Sequence, residues 1–367
     1  MLLFTPGPTP VPESVRQAMA TPTLHHRTPE FEAIFKEARE RLLSLLGMDE
    51  CVMVASSGTG AMQACMVNLC EKKALTINAG KFGERFGKIA DARGREKREL
   101  CYDWDTPATV TDVEKALFDN PDIDAIFIQI CESAGGLRHP VEAIAKRAKE
   151  INPRIMVVAD GITAVGVEKI DVTHIDALVT GSQKALMLPP GLAMIGLSNK
   201  AVEKIGKGKD YYFNLAIEIK NQQKNTTAWT AATTLIIGLN AIFDEIEKEG
   251  MDALYTATAK RAKATQAALE AIGFSVYPKM PALAMSTVLD EDAEAIRKLL
   301  KTKYGVNIAG GQDHLKGKIF RINQMGLIPV YESAWVVNAV ELALDELGRR
   351  AFDGTASRVF NETYFKA

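Results

Sequence analysis

The chain has 367 residues, 47% of them hydrophobic and 25% charged, with a formal net charge of −2. That length carries one large domain and a smaller one, and the composition is that of an ordinary globular protein. No basic block is present to neutralise phosphates, and no apolar run approaches the ~20 residues that span a bilayer. Neither nucleic acid nor a membrane is therefore expected as a partner.

Residues 1–29 are rich in proline and threonine, show no clear period and read as an extended arm. The opening Met1–Pro8 lacks the charged and apolar regions of a secretory signal, so the expected location is cytoplasmic. From Pro29, the spacing Phe31, Ile34, Phe35, Ala38, Leu42 and Leu46 predicts an amphipathic helix closed by Gly47. Strand-like runs follow at Cys51–Ala55, Ala74–Ile77, Ala125–Cys131, Ile155–Ala159, Ala177–Thr180 and Leu192–Leu197, with helical segments near 59–71, 83–93, 111–119 and 141–151. Strands that are apolar throughout and alternate with helices predict a parallel or mixed sheet covered on both faces. Beyond residue 230 the pattern changes to two long helices, 231–249 and 252–272. Short strands at 274–277, 284–289 and 318–322 and helices near 291–303 and 331–348 follow. The expected architecture is α/β, with an arm at 1–20, a large domain at 21–245 and a smaller α+β domain at 246–367.

Two strands of the large domain end on groups with chemistry. Asp160 closes Ile155–Ala159, and Lys184 follows Ala177–Thr180 in Gly181-Ser182-Gln183-Lys184. Carboxyl ends of such strands line the ligand crevice of an α/β sheet. An amine and a carboxylate there suit pyridoxal 5′-phosphate, which needs a Schiff-base lysine and an acid partner for its ring nitrogen. Asp160 reads equally as a turn residue before Gly161, and Lys184 as one more solvated lysine. Flanking turn and packing signals, rather than charges, favour the functional reading of Lys184.

The turn Ser56-Ser57-Gly58-Thr59-Gly60 stands between a strand and a helix and offers free N–H groups to a phosphate. Such turns also serve as plain caps. Phe82, between Gly80 and Gly83, either stacks on an aromatic ring or fills the core. Arg321 lies inside the apolar run Lys318–Ile322 and requires a partner, either a substrate carboxylate or a structural acid.

The five histidines fall at no metal-ligand spacing, so no metal is expected. The odd set of five cysteines reads as buried thiols of a reduced protein. A hydrolase is not supported, because no G-x-S-x-G elbow occurs.

In family order, Phe4-Thr5-Pro6-Gly7-Pro8, His26–Phe31, Ser57-Gly58-Thr59, Gly80–Arg85, Val158-Ala159-Asp160, Gly181–Leu186, Pro189-Pro190-Gly191, Gly310-Gly311-Gln312 and Leu315–Ile322 cover most of the chain. This set resembles the class V aminotransferases of fold type I, in particular the alanine–glyoxylate, serine–glyoxylate and serine–pyruvate group. The resemblance implies a mostly parallel sheet of the seven-stranded type and a ping-pong transfer from alanine or serine to glyoxylate or pyruvate. It implies that Lys184 holds the cofactor and moves protons, that Asp160 pairs the ring nitrogen and that Phe82 stacks on the ring. Ser57, Gly58, Thr59 and Gln183 would hold the phosphate end, with Ser133 also at the cofactor. Arg321, with Gly7, would take the substrate. Thr227 and Thr230 would complete the phosphate site of a neighbouring subunit, which makes the expected unit a homodimer with sites at the interface.

The chain departs from the family pattern at three points. Ala228 stands where proline is common, Asn323 where a small residue is common, and Ser133 is the one hydroxyl left in Glu132-Ser133-Ala134-Gly135. A cysteine desulfurase is disfavoured, since no cysteine lies beyond Cys131. An aminotransferase for phosphonate or phosphorylated substrates needs extra cations, for which Arg27 and Arg138 are the candidates. A non-catalytic binding subunit is the remaining alternative.

Overall fold

The computed structural model describes residues 1–366. Its centre is a seven-stranded sheet in the order Glu50–Val54, Ala193–Leu197, Ala177–Gly181, Met156–Asp160, Ile123–Gln129, Lys73–Asn78, Glu96–Cys101. Ala193–Leu197 runs antiparallel to both neighbours, and the remaining pairings from Ala177–Gly181 outward are parallel. The edge strand Glu50–Val54 and the inner strands Ala193–Leu197, Ala177–Gly181 and Met156–Asp160 are buried at every position, which is why they read as largely apolar runs. The shared direction puts the ends of Glu50–Val54, Lys73–Asn78, Ile123–Gln129, Met156–Asp160 and Ala177–Gly181 on one edge, and the site is built there.

Helices cover both faces. On one side pack Phe31, Phe35 and Leu42 of helix Pro29–Leu46 and Ile236, Leu239 and Ile242 of helix Thr233–Glu247. The first of these starts as the spacing predicts: Thr28 caps it by accepting the Phe31 N–H, and Gly47 ends it in the left-handed conformation at φ 62°. The other face is covered by Met62, Met66 and Leu69 of helix Gly58–Leu69 and Phe86 and Ile89 of helix Lys81–Ala92.

A second core belongs to a five-stranded sheet in the order Leu2–Phe4, Val306–Gly310, Ile319–Asn323, Met285–Leu289, Ser275–Val276. Leu2–Phe4 pairs in parallel with Val306–Ile308, so the start of the chain is an edge strand of the distal sheet rather than a loose arm. A short helix, Glu13–Met19, follows within the segment read as extended. The spacing analysis also passes over strand Glu96–Cys101 and helices Asn199–Ile205, Leu215–Gln222 and Thr355–Lys366. Cys51, Cys65, Cys70 and Cys131 are buried, whereas Cys101 is exposed. Among the described residues, no helix is long and apolar enough to cross a membrane.

Candidate active site

Lys184 sits in a tight excursion between strands Ala177–Gly181 and Ala193–Leu197. Ser182 closes the excursion: its N–H donates to Leu192 O (2.9 Å) and its hydroxyl to Pro189 O (2.7 Å). The chain start is threaded across the lysine. The Thr9 hydroxyl donates to Lys184 O (2.7 Å), Thr9 N–H to Gln183 O (3.1 Å), and Lys184 Nζ donates to Pro6 O. Gly7 has φ 119°, and a Cβ there would stand 2.7 Å from Nζ, so only glycine fits the crossing. Burial drives the Lys184 ammonium down to about 8, and nearby Arg321 and Arg85 push the same way.

Asp160 is also buried. Its Oδ1 accepts the Ile162 N–H (2.9 Å), and no cation forms an ion pair with it among the described residues. Desolvation raises its carboxyl to about 6, opposed by the Ile162 bond and by the charges of Arg85 and Lys184.

Ser57 is the N-cap of helix Gly58–Leu69, yet its side chain caps nothing; the Gly60 N–H donates to Ser57 O (2.8 Å), which leaves the Ser57 hydroxyl and the Gly58 and Thr59 N–H groups for a ligand. Gln183 Oε1 is buried without a partner. Ser57, Gly58, Thr59, Phe82, Ser133, Asp160, Gln183 and Lys184 together line one cavity of about 220 Å³. The set fits pyridoxal 5′-phosphate: an unprotonated amine is accessible near neutral pH, a carboxylate awaits a cationic partner, and a helix terminus awaits an anion.

Sequence reasoning missed two residues of this site. Glu132 is buried beside it, accepting N–H bonds from Phe82 (3.0 Å), Gly83 (2.8 Å) and Ala134 (3.0 Å). Burial raises its carboxyl to about 7, against those three donors. It fastens the Phe82 turn to the Ser133 segment, and a side chain at Gly80 would run into it. The second is Arg85, one helical turn after Phe82. Its guanidinium lies 4.6 Å from the Phe82 ring centre and donates to Thr59 Oγ1 (2.7 Å). The available signal was an arginine three residues after a glycine-flanked phenylalanine, on a helix opening at a strand end.

Arg321 reaches the site from the smaller sheet. Nε and Nη2 donate to Gly310 O (3.1 and 2.6 Å) and Nη1 donates to Ser133 O. It is buried, and no carboxylate pairs with it among the described residues. Burial lowers its guanidinium to about 10, with Glu132 partly offsetting that. Its partners within the chain are backbone carbonyls rather than a structural acid.

Thr227 and Thr230 are not brought to this cavity within one chain. They line a separate, narrow pocket with Tyr212 and Trp229, where the Thr227 hydroxyl donates to Trp229 O. Arg138 is bound by Glu142 and Glu168, and Arg27 donates to Thr226 Oγ1 (2.7 Å). No cluster of three metal-ligating side chains occurs among the described residues.

A family model described as aminotransferase class-V matches residues 1–325. The chain is 50% identical, over the full length of both proteins, to an uncharacterized aminotransferase of Helicobacter pylori (strain ATCC 700392 / 26695). It is 29% identical to serine–glyoxylate aminotransferase of Hyphomicrobium methylovorum, covering 94% of this chain and 90% of that one. Among solved structures, an aspartate aminotransferase of subgroup IV from Thermus thermophilus superposes with a TM-score of 0.89 at 31% identity, covering 94% and 99% of the two chains.

Proposed function

The chain belongs to the class V aminotransferases, a family that implies a pyridoxal 5′-phosphate cofactor, and from that premise we propose that it transfers the amine of alanine or serine to glyoxylate or pyruvate. The observation that carries the substrate class is Arg321: a buried guanidinium with only carbonyl partners, at the rim of the Lys184 cavity, is matched to the carboxylate shared by amino and 2-oxo acids. A cavity of about 220 Å³ leaves little room for a long substrate side chain beside the cofactor.

The residues divide the work. When bound, pyridoxal 5′-phosphate supplies the electron sink for the substrate Cα. Lys184 Nζ, lowered to about 8 by burial, is available as a free amine at moderate pH to bind the cofactor and then to accept the Cα proton. Asp160, ionised above about 6, offers its charge to the ring nitrogen. Ser57, Gly58, Thr59 and Gln183 hold the phosphate end, Phe82 and Ser133 bound the ring, and Gly7 lets Pro6 cross the lysine. Amine donor and acceptor use the same pocket in turn, which gives ping-pong kinetics.

The homodimer is part of the proposal. Thr227 and Thr230 lie outside the cavity of their own chain, next to the exposed rings of Tyr211 and Tyr212. A two-fold partner would carry them to the neighbouring phosphate end. Of the two cations considered for a phosphonate substrate, Arg138 is occupied by two glutamates and Arg27 does not line the Lys184 cavity. A non-catalytic subunit would have no need of a desolvated lysine beside a desolvated aspartate.

The test is an absorption titration of the purified holoenzyme with alanine, serine, aspartate and aminoethylphosphonate. Alanine or serine should bleach the lysine-bound cofactor band at the lowest concentration, and Lys184→Ala should abolish turnover while remaining folded. Preference for aspartate or aminoethylphosphonate would overturn the substrate assignment. A band that no amine alters would point to the non-catalytic reading.

A further inference from the structure

Arg85 is a cation with an unusual lack of company. On the same helix, Lys81 meets Asp313 at 2.8 Å and Lys88 meets Glu84 at 2.8 Å. No carboxylate pairs with Arg85 among the described residues; its protein contacts are one hydrogen bond to Thr59 Oγ1 and the face of Phe82. A guanidinium has five N–H donors in a rigid fork, so most of its capacity is unspent. It lines the cavity of Lys184 and Asp160, and it adjoins the first turn of helix Gly58–Leu69.

The charge inventory of that cavity indicates what the fork is for. A phosphate ester carries ~1.5–2 negative charges near neutral pH. The groups already placed at its end, Ser57, Gly58, Thr59 and Gln183, are all neutral. The other two cations have other roles: Lys184 is the reacting amine, and Arg321, held by Gly310 O and Ser133 O and not among the residues lining this cavity, is assigned to the substrate carboxylate. An anion among neutral donors alone would sit in a partly desolvated site without a counter-charge. Thr59 and Phe82 hold the Arg85 fork in a fixed position next to that site, so little side-chain freedom is lost on binding.

We propose that Arg85 binds the phosphate of the cofactor, supplying the positive charge that the helix terminus and hydroxyl groups lack. This rests on the Lys184 cavity being the cofactor site. Fixed to Thr59 on one side and against Phe82 on the other, Arg85 also links the phosphate end of the cavity to its ring end.

The experiment compares capture of pyridoxal 5′-phosphate and of pyridoxal by the cofactor-free parent, Arg85→Gln and Arg85→Lys, using equilibrium dialysis. Arg85→Gln should weaken capture of the phosphorylated form ~10- to 100-fold, the range for a lost charge-assisted hydrogen bond, and leave pyridoxal unchanged. Arg85→Lys should recover part of the loss, because it keeps the charge but not the fork. Equal loss of both ligands would make Arg85 a mere prop for Phe82 and overturn the proposal, as would unchanged capture of both. A parent that captures neither would overturn the cofactor site itself. Phenylglyoxal labelling of the unmodified protein, mapped by mass spectrometry, needs no variant to fold. Arg85 should be labelled, and inorganic phosphate should block the labelling; labelling indifferent to phosphate would again refute the assignment.

Discussion

Asp160 is a largely buried carboxylate with no ion-pair partner among the described residues, and the protein without its cofactor is less stable as a result. An aspartate in the unfolded chain ionises near 3.8, whereas burial raises Asp160 to about 6. Between these values the folded state holds a proton that the unfolded chain has released, so stability falls as pH rises through that window. Asp160→Asn removes the titrating proton while keeping an oxygen for the Ile162 N–H. In urea unfolding of the cofactor-free protein, the variant should exceed the parent by on the order of 2–3 kcal/mol near neutral pH, with the gap closing below about pH 4. A gap that does not change with pH would contradict the cause given. Arg321→Gln makes a different point at the same scale: losing the fork should raise KM for the amino substrate ~10- to 100-fold. Steady-state kinetics decide it, and an unaltered KM would place the substrate carboxylate elsewhere. Both residues were legible because each is a charged group in or after an apolar strand. Glu132 was not, since its meaning lies in three N–H donors from two other segments.

At the scale of elements, the strand Leu2–Phe4 joins two functions. It completes the edge of the smaller sheet, and the next residues, Pro6–Thr9, cross Lys184 in the larger domain. Phe4 is buried in the smaller core. Phe4→Ala should therefore cost ~3–5 kcal/mol in a denaturant melt, and activity should decline along with it as the Pro6–Gly7 crossing loosens. Full activity alongside a large loss of stability would show that the crossing holds without the strand. Proline and threonine in the first 29 residues conceal this strand, because its three residues give no period and its partner lies some three hundred positions away. Glu96–Cys101 escaped notice for the opposite reason. It is an edge strand, half-exposed, and its charged side chains look like a loop while they guard a sheet edge.

At the scale of the molecule, the open question is the second subunit. If Lys184 of one chain works with Thr227 and Thr230 of another, two inactive variants should repair each other. Lys184→Ala mixed with a Thr227→Ala, Thr230→Ala double variant would form hybrid dimers with one intact site each. Random pairing should then restore roughly a quarter of the parent's activity. Assay after co-refolding at equal amounts provides the measurement; complete absence of recovery would mean that each chain serves its own site.

The order of apolar strands and amphipathic helices, Lys184 and Asp160 at strand ends, and the Ser57-Gly58-Thr59 turn were all determined by the sequence itself. Each depends on local rules: a side-chain period, a cap, a turn. What tertiary structure alone decided was which distant groups meet. The parallel register sets Gln129 beside Asp160 and brings the Phe82 turn over Glu132. The smaller sheet delivers Arg321 with no acid partner, and the chain start folds back over the lysine. Such meetings depend on contacts between residues far apart in the chain, and no local pattern in a single sequence records them.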